Sequence, residues 1–232
     1  MTQPSPRATP PRLDQPRASS SARSLALLAW LIIAGIVLYL AIDVLLQLLP
    51  PHYNPLRVPE SDFARGPYGW LMTVNFIVRG AFSLTLLAGI ALSMPPAARS
   101  RAGLALLGVW GIGAFLLALF PADPYGAPAT HIGAIHLLIA LVAFGAIAVA
   151  ELLLARSFTR DAAWQAYAPV ATMLAVLAAI GACLVALPPL LFPHLAARIG
   201  GLTERIFLGF ALLWMLAVAI WLLRLSRQQA GA

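Results

Sequence analysis

The sequence predicts an all-α fold, a polytopic membrane bundle of six transmembrane helices, on three observations. Of 232 residues, 61% are hydrophobic and only 10% charged, whereas soluble domains carry about a quarter charged residues. The apolar residues fall in six runs, Ser24–Leu49, Trp70–Met94, Gly103–Phe120, His131–Ala155, Ala166–Phe192 and Leu202–Leu225, each near the about 20 residues a bilayer-spanning helix needs. The runs are continuous and rich in helix formers rather than alternating, which favours a helical bundle over a barrel.

The chain divides accordingly. Residues 1–23 are rich in Pro, Ser and Arg without apolar periodicity and read as a disordered basic cytoplasmic tail. The run that follows is too long for a signal-peptide core and lacks a small-residue cleavage site, so it reads as an uncleaved first span. Residues 24–227 form the six-helix domain, and 228–232 a short cytoplasmic tail.

All 15 basic residues are arginine and the net charge is +7. They form no nucleic-acid face, because they segregate by membrane side. Arg7, Arg12, Arg17, Arg23, Arg99, Arg101, Arg156, Arg160, Arg224 and Arg227 share one side, while Arg57, Arg65, Arg198 and Arg205 share the other. The positive-inside rule then puts both termini in the cytoplasm. An all-arginine basic set also suits a GC-rich bacterial genome, hence a bacterial cytoplasmic (inner) membrane.

The even connections, Pro95–Ala102 and Arg156–Gln165, are short and basic. The three outer ones carry "LLPPHYNP", "LFPADPYG" and "LPPLLFPH", with Pro50, Pro121 and Pro188 marking helix ends. Trp70, Tyr68, Tyr53, Trp164, Tyr167 and Trp221 fall near span ends, as an aromatic belt does. His52 and His194 read as solvated loop residues. Cys183, the one cysteine, reads as a small apolar filler.

Polar residues within the spans are costly, at least about 2.5–3.5 kcal/mol for a charge at mid-span, and they gather toward the outer side. Asp43 lies near the outer end of the first span. Asn75 and Arg79, at i and i+4, share a face of the second, and Ser83 continues the stripe. Asp123 ends the third, His131 and His136 open the fourth, and Glu204–Arg205 opens the sixth. Each has an ordinary alternative: a turn acid in "DPYG" for Asp123, a first-turn acid for Glu204, an interfacial residue after an N-cap at Thr130 for His131. Arg79 is expected to pair with Asp43, since each is otherwise an uncompensated charge. Asp123 and His136 are expected to face inward toward Arg79 and Glu204, the alternative being a neutral His136 held by a backbone carbonyl.

At "GPYGWLMTVNFIVRG", "LLGVWGIGAFLLALFPADP", "HIGAIH" and "GLTERIFLG" the chain resembles a bacterial family of six-helix membrane proteins catalogued as domain of unknown function 998. The resemblance spans about Leu25 to Leu225. It implies the fold and a membrane location, and no activity comes with it.

The leading functional expectation is a structural or accessory membrane protein whose polar cluster locks helices together. The alternative is a membrane-embedded enzyme or binding protein acting on a lipid or lipid-linked ligand from the outer leaflet. There His136, Asp123 and Glu204 would supply acid and base, and Asp43, Asn75, Arg79, His131 and Arg205 would hold the ligand. His131 and His136 are five residues apart, about 140° around one helix, so they share a metal only if His131 precedes regular helix. Membrane lipids are the expected surroundings and nucleic acid is not an expected partner; cofactor, metal and oligomeric state stay unknown.

The arginine asymmetry fixes a test. Reporter fusions after Arg101 and after Ala127 are expected to report opposite sides of the membrane, and the same side for both would overturn the topology.

Overall fold

The computed structural model describes residues 15–123 and 128–231. Arg7 and Arg12 of the leader, and residues 124–127 of the second outer connection, lie outside the described residues. Six long helices account for most of the chain: α1 Gln15–Leu48, α2 Gly69–Ser93, α3 Arg101–Leu119, α4 His131–Phe158, α5 Ala168–Leu191 and α6 Pro193–Gly231. All six are long and apolar enough to cross a membrane. Each packs on the next in sequence, and α1 packs on α6, so the helices close into a ring. Hairpin connectivity puts both termini at one end of the ring. The opposite end is filled by a 3-10 helix, Glu60–Arg65, and is called here the plugged end.

Local chemistry sets most helix ends. Ser100 and Thr130 cap α3 and α4, their hydroxyls accepting from the Gly103 and Gly133 amides, which satisfies otherwise orphaned N–H groups. The helical runs of α1 and α3 stop just before Pro50 and Pro121, where the residue preceding a proline is pushed out of the helical region.

Several expected boundaries move. α1 starts at Gln15, inside the stretch expected to be disordered, and α6 continues to Gly231 through the expected tail. The third outer loop does not form: Pro188 and Pro189 lie inside α5, only Phe192 separates α5 from α6, and α6 opens on Pro193. Proline is well placed there because the first helical turn needs no N–H donors. His194, expected in a loop, is an exposed residue in the first turn of α6.

The main core runs down the ring and includes Ile36, Leu86, Trp110, Ile147, Phe158 and Trp214. A second cluster, Ile42, Leu46, Phe63, Met72, Phe76 and Leu117, seats the 3-10 helix at the plugged end. Large apolar residues such as Leu119 and Leu137 face outward, as they do where the surroundings are hydrocarbon. Trp70 is exposed as a belt residue should be, but Trp164 is fully buried and stacks on Phe158 at 4.3 Å. Trp164 thus belongs to the core, because the 159–167 turn folds back over the end of the ring. Cys183 is exposed rather than a buried filler. It lines an apolar groove of about 570 Å³ with Leu152, Val176 and Pro188, where α4 and α5 separate.

Close helix approach relies on particular glycines. A Cβ on Gly181 would lie 2.8 Å from the Cα of Phe207, whereas one on Gly145 would meet nothing within 4 Å. Gly181→Ala is therefore expected to lose about 1–3 kcal/mol by overpacking α5 against α6. Gly145→Ala is expected to gain up to about 1 kcal/mol from helix propensity. Reversible unfolding in mixed micelles measures both, and equal effects would refute the packing argument.

Candidate functional site

At the plugged end, the connection 49–68 is not a loose loop. Phe63 is fully buried and stacks with Tyr53 at 4.5 Å between ring centroids. The irregular backbone around it needs acceptors and donors satisfied, and Arg205 of α6 supplies donors. Its Nη1 donates to the carbonyls of Pro55 and Val58, both at 2.9 Å, and of Gly201 at 3.0 Å. The guanidinium also lies 5.6 Å from the Phe63 ring centre and its Nε 3.9 Å from Glu60. Glu60 is buried and accepts a 2.7 Å bond from the Tyr39 hydroxyl of α1. Gly201 allows this seating, since a Cβ there would stand 2.5 Å from the Val58 carbonyl oxygen. Tyr39, Glu60 and Arg205 thus tie α1, the 3-10 helix and α6 together.

A second tie joins the two connections at this end. Arg65 Nε donates to the Ala122 carbonyl at 2.6 Å, and its Nη2 lies 3.3 Å from Asp123. Asp123 accepts from the amide and the hydroxyl of Thr130, each at 2.8 Å, and abuts Gly133 in the first turn of α4. These bonds from Thr130, with Arg65 beside them, hold its carboxyl below the usual carboxylate range. Asp123 is therefore a clasp at the start of α4.

Deeper in the ring the polar groups are buried but mostly unpartnered. Arg79 is 2% exposed and pairs with no carboxylate; its guanidinium sits 4.6 Å from the Trp110 ring centre and 5.1 Å from that of Phe76. Its Nε and Nη2, both polar atoms of Asn75, the Ser83 hydroxyl and the Trp110 indole nitrogen find no hydrogen-bond partner. Arg79 is within electrostatic reach of Tyr39, His136 and Glu204. His136 is buried against Phe76, and its Nδ1 lies 2.6 Å from the Phe120 carbonyl. A carbonyl only accepts, so Nδ1 carries a proton. The backbone-carbonyl contact is the one expected in the second of the two arrangements for His136.

The expected site is thus brought together in part. Asn75, Arg79, His136 and Glu204 are buried in the interior. The Arg79–Asp43 ion pair does not form: Asp43 senses Glu60 and Arg205 instead, and its Oδ1 is left unpartnered. Arg79 instead lies between two aromatic rings, its side chain leaning toward the start of α2 as helical side chains do. Asp123 faces the Thr130 cap and Arg65 rather than Arg79, because the cap draws it outward. His131 is exposed at the start of α4, and Arg205 serves the lock. Among the described residues, no three His, Cys, Asp or Glu are grouped so as to hold a metal ion.

Glu60, Tyr39 and Arg65 were not among the expected site residues. The signal for Glu60 was two acids just before a phenylalanine in "ESDFAR", within a connection too long to be structureless in a compact domain. At the terminal end, Glu151 of α4 is fully buried with both oxygens unpartnered, near the equally unpartnered Tyr167 hydroxyl.

The family described as Protein of unknown function (DUF998) matches residues 33–221. The chain belongs to this family. No curated protein and no solved structure matches it. The DUF998 match takes in every residue of the lock, the clasp and the unpartnered interior, from Tyr39 to Arg205, and leaves out the first part of α1.

Asp62, beside Glu60, has a buried Oδ2 without a partner, and burial raises its carboxyl to about 6. A raised folded value means the folded chain binds the proton more tightly than the unfolded one, so Asp62 costs stability as pH rises from about 4 to about 6. Asp62→Asn is expected to be more stable than the parent at pH 7 and to lose that advantage by pH 4. Unfolding midpoints across this range check it, and a pH-independent difference would refute it.

Proposed function

We propose that this chain is a structural or accessory protein of the bacterial cytoplasmic membrane, with both termini cytoplasmic and the plugged end facing outward. Membrane lipids surround its apolar faces, and it performs no chemistry with His136 and Asp123. What carries this reading is Arg205, whose donors go to three backbone carbonyls and whose charge faces Glu60. Such a lock holds an irregular segment in a fixed shape at one membrane surface. Of the groups expected to do acid–base work, Asp123 is committed to Thr130 and Arg65, and the His136 ring is anchored through Nδ1 on the Phe120 carbonyl. The arginine distribution supports the orientation.

The lock is tested by Arg205→Leu. Removing it leaves Glu60 buried without its cation and the Pro55 and Val58 carbonyls without their side-chain donor, so a loss of about 3–5 kcal/mol is expected. Amide exchange should accelerate across residues 49–68 while α3 and α4 stay protected. An Arg205→Leu protein with parental stability and unchanged exchange would remove the basis for this function.

A further inference from the structure

We propose that Arg79, with Asn75, Ser83 and Trp110, forms a receptor inside the helix ring for an oxyanion, the carboxylate or phosphate group of a ligand. The position is not part of the lock, and nothing in the lock requires it. Asn75, Arg79 and Ser83 stand at i, i+4 and i+8 on α2, hence on one face. Trp110 of α3 stacks on the guanidinium, and Ser83 faces the next residue of α3, its Cβ 3.4 Å from where a Cβ on Gly111 would stand.

Donors and positive charge outnumber acceptors around Arg79. Arg79 Nε and Nη2, Asn75 Nδ2 and Trp110 Nε1 can only donate, and the Ser83 hydroxyl can donate; all five are buried and unpartnered. Only Asn75 Oδ1 is an obligate acceptor among these unpartnered atoms. Native interiors rarely leave such groups unmet. The charge is harder still to leave alone, because arginine keeps its proton in proteins. Burying it costs more than ring contacts of this kind return.

Among the described residues, no acid settles the charge. Glu60 is engaged by Tyr39 and Arg205, and Asp43 lies with that pair. Glu204 senses Arg79 but makes no ion pair with it. A planar guanidinium flanked by neutral donors is the arrangement that recognises carboxylate and phosphate oxygens. A cation would find too few acceptors there. The atoms are sealed from solvent, so uptake requires the helices to part and is slow.

The chemistry is shared by an amphiphile with an anionic head and by a free anion, and the test separates them. The full-length protein in a neutral maltoside detergent is titrated with dodecyl phosphate, inorganic phosphate, acetate and dodecanol, reading the unfolding midpoint and retained ligand by native mass spectrometry. An oxyanion probe is expected to raise the midpoint and dodecanol is not. Response to dodecyl phosphate alone assigns the ligand to the lipid phase; an equal response to inorganic phosphate or acetate assigns it to the aqueous phase. Arg79→Gln is expected to need about tenfold more probe, and Ser83→Ala and Trp110→Phe about fivefold. Should Arg79→Gln fail to fold, the other two substitutions decide. Glu204→Gln is expected to bind the probe at least as well, since it removes a nearby negative charge. The proposal is overturned if no oxyanion probe stabilises the parent, if dodecanol matches the best probe, or if Ser83→Ala and Trp110→Phe titrate like the parent.

Discussion

The plugged end depends on one guanidinium. An irregular segment at the end of an apolar bundle exposes carbonyls that hydrocarbon cannot satisfy, and Arg205 meets two of them, those of Pro55 and Val58, from a single nitrogen. That engagement also brings the positive charge toward Glu60, which in turn receives the Tyr39 hydroxyl. With the backbone satisfied, Phe63 can sit on Phe76, Met72 and Leu117 as part of a core. The second tie, Arg65 to Ala122 and Asp123, works on the same principle: arginine donates to a carbonyl first and faces a carboxylate second.

This end differs from the interior in how completely its polar groups are met. Around Arg205 the Nη1 donors, the Pro55 and Val58 carbonyls and the Tyr39–Glu60 bond are matched, while Arg205 Nη2 and Asp62 Oδ2 are not. Around Arg79 the donors are buried without partners, and the cation is faced by rings. The difference within one ring of helices is of degree: the Arg205 guanidinium has backbone acceptors and a carboxylate beside it, and the Arg79 guanidinium has aromatic rings.

The helices were legible because their signal is collective: some twenty apolar residues in a row outweigh any single position. The burial of Asn75, Arg79, His136 and Glu204 was also legible, since a polar residue within an apolar run has few places to go. Partner choice was not. Depth along two helices put Asp43 near Arg79, but which side of each helix faces the other depends on packing that the sequence does not print. Glu60 was hidden for a related reason: it lies in a connection without periodicity, and its burial follows from the fold of that connection. Proline misled at Pro188, where the helix continues and the missing N–H bonds are tolerated near its end.

Ring closure between α1 and α6 has a consequence for biogenesis. A chain is made from its N-terminus, so Tyr39 and Glu60 enter the membrane long before Arg205 exists. Until the last span arrives, the Glu60 carboxylate and the carbonyls of Pro55 and Val58 have no donor from α6, and α1 has one flank uncovered. The final helix therefore carries the group that completes the first, and a nascent chain stalled before α6 presents an open arc with an acidic, under-bonded mouth.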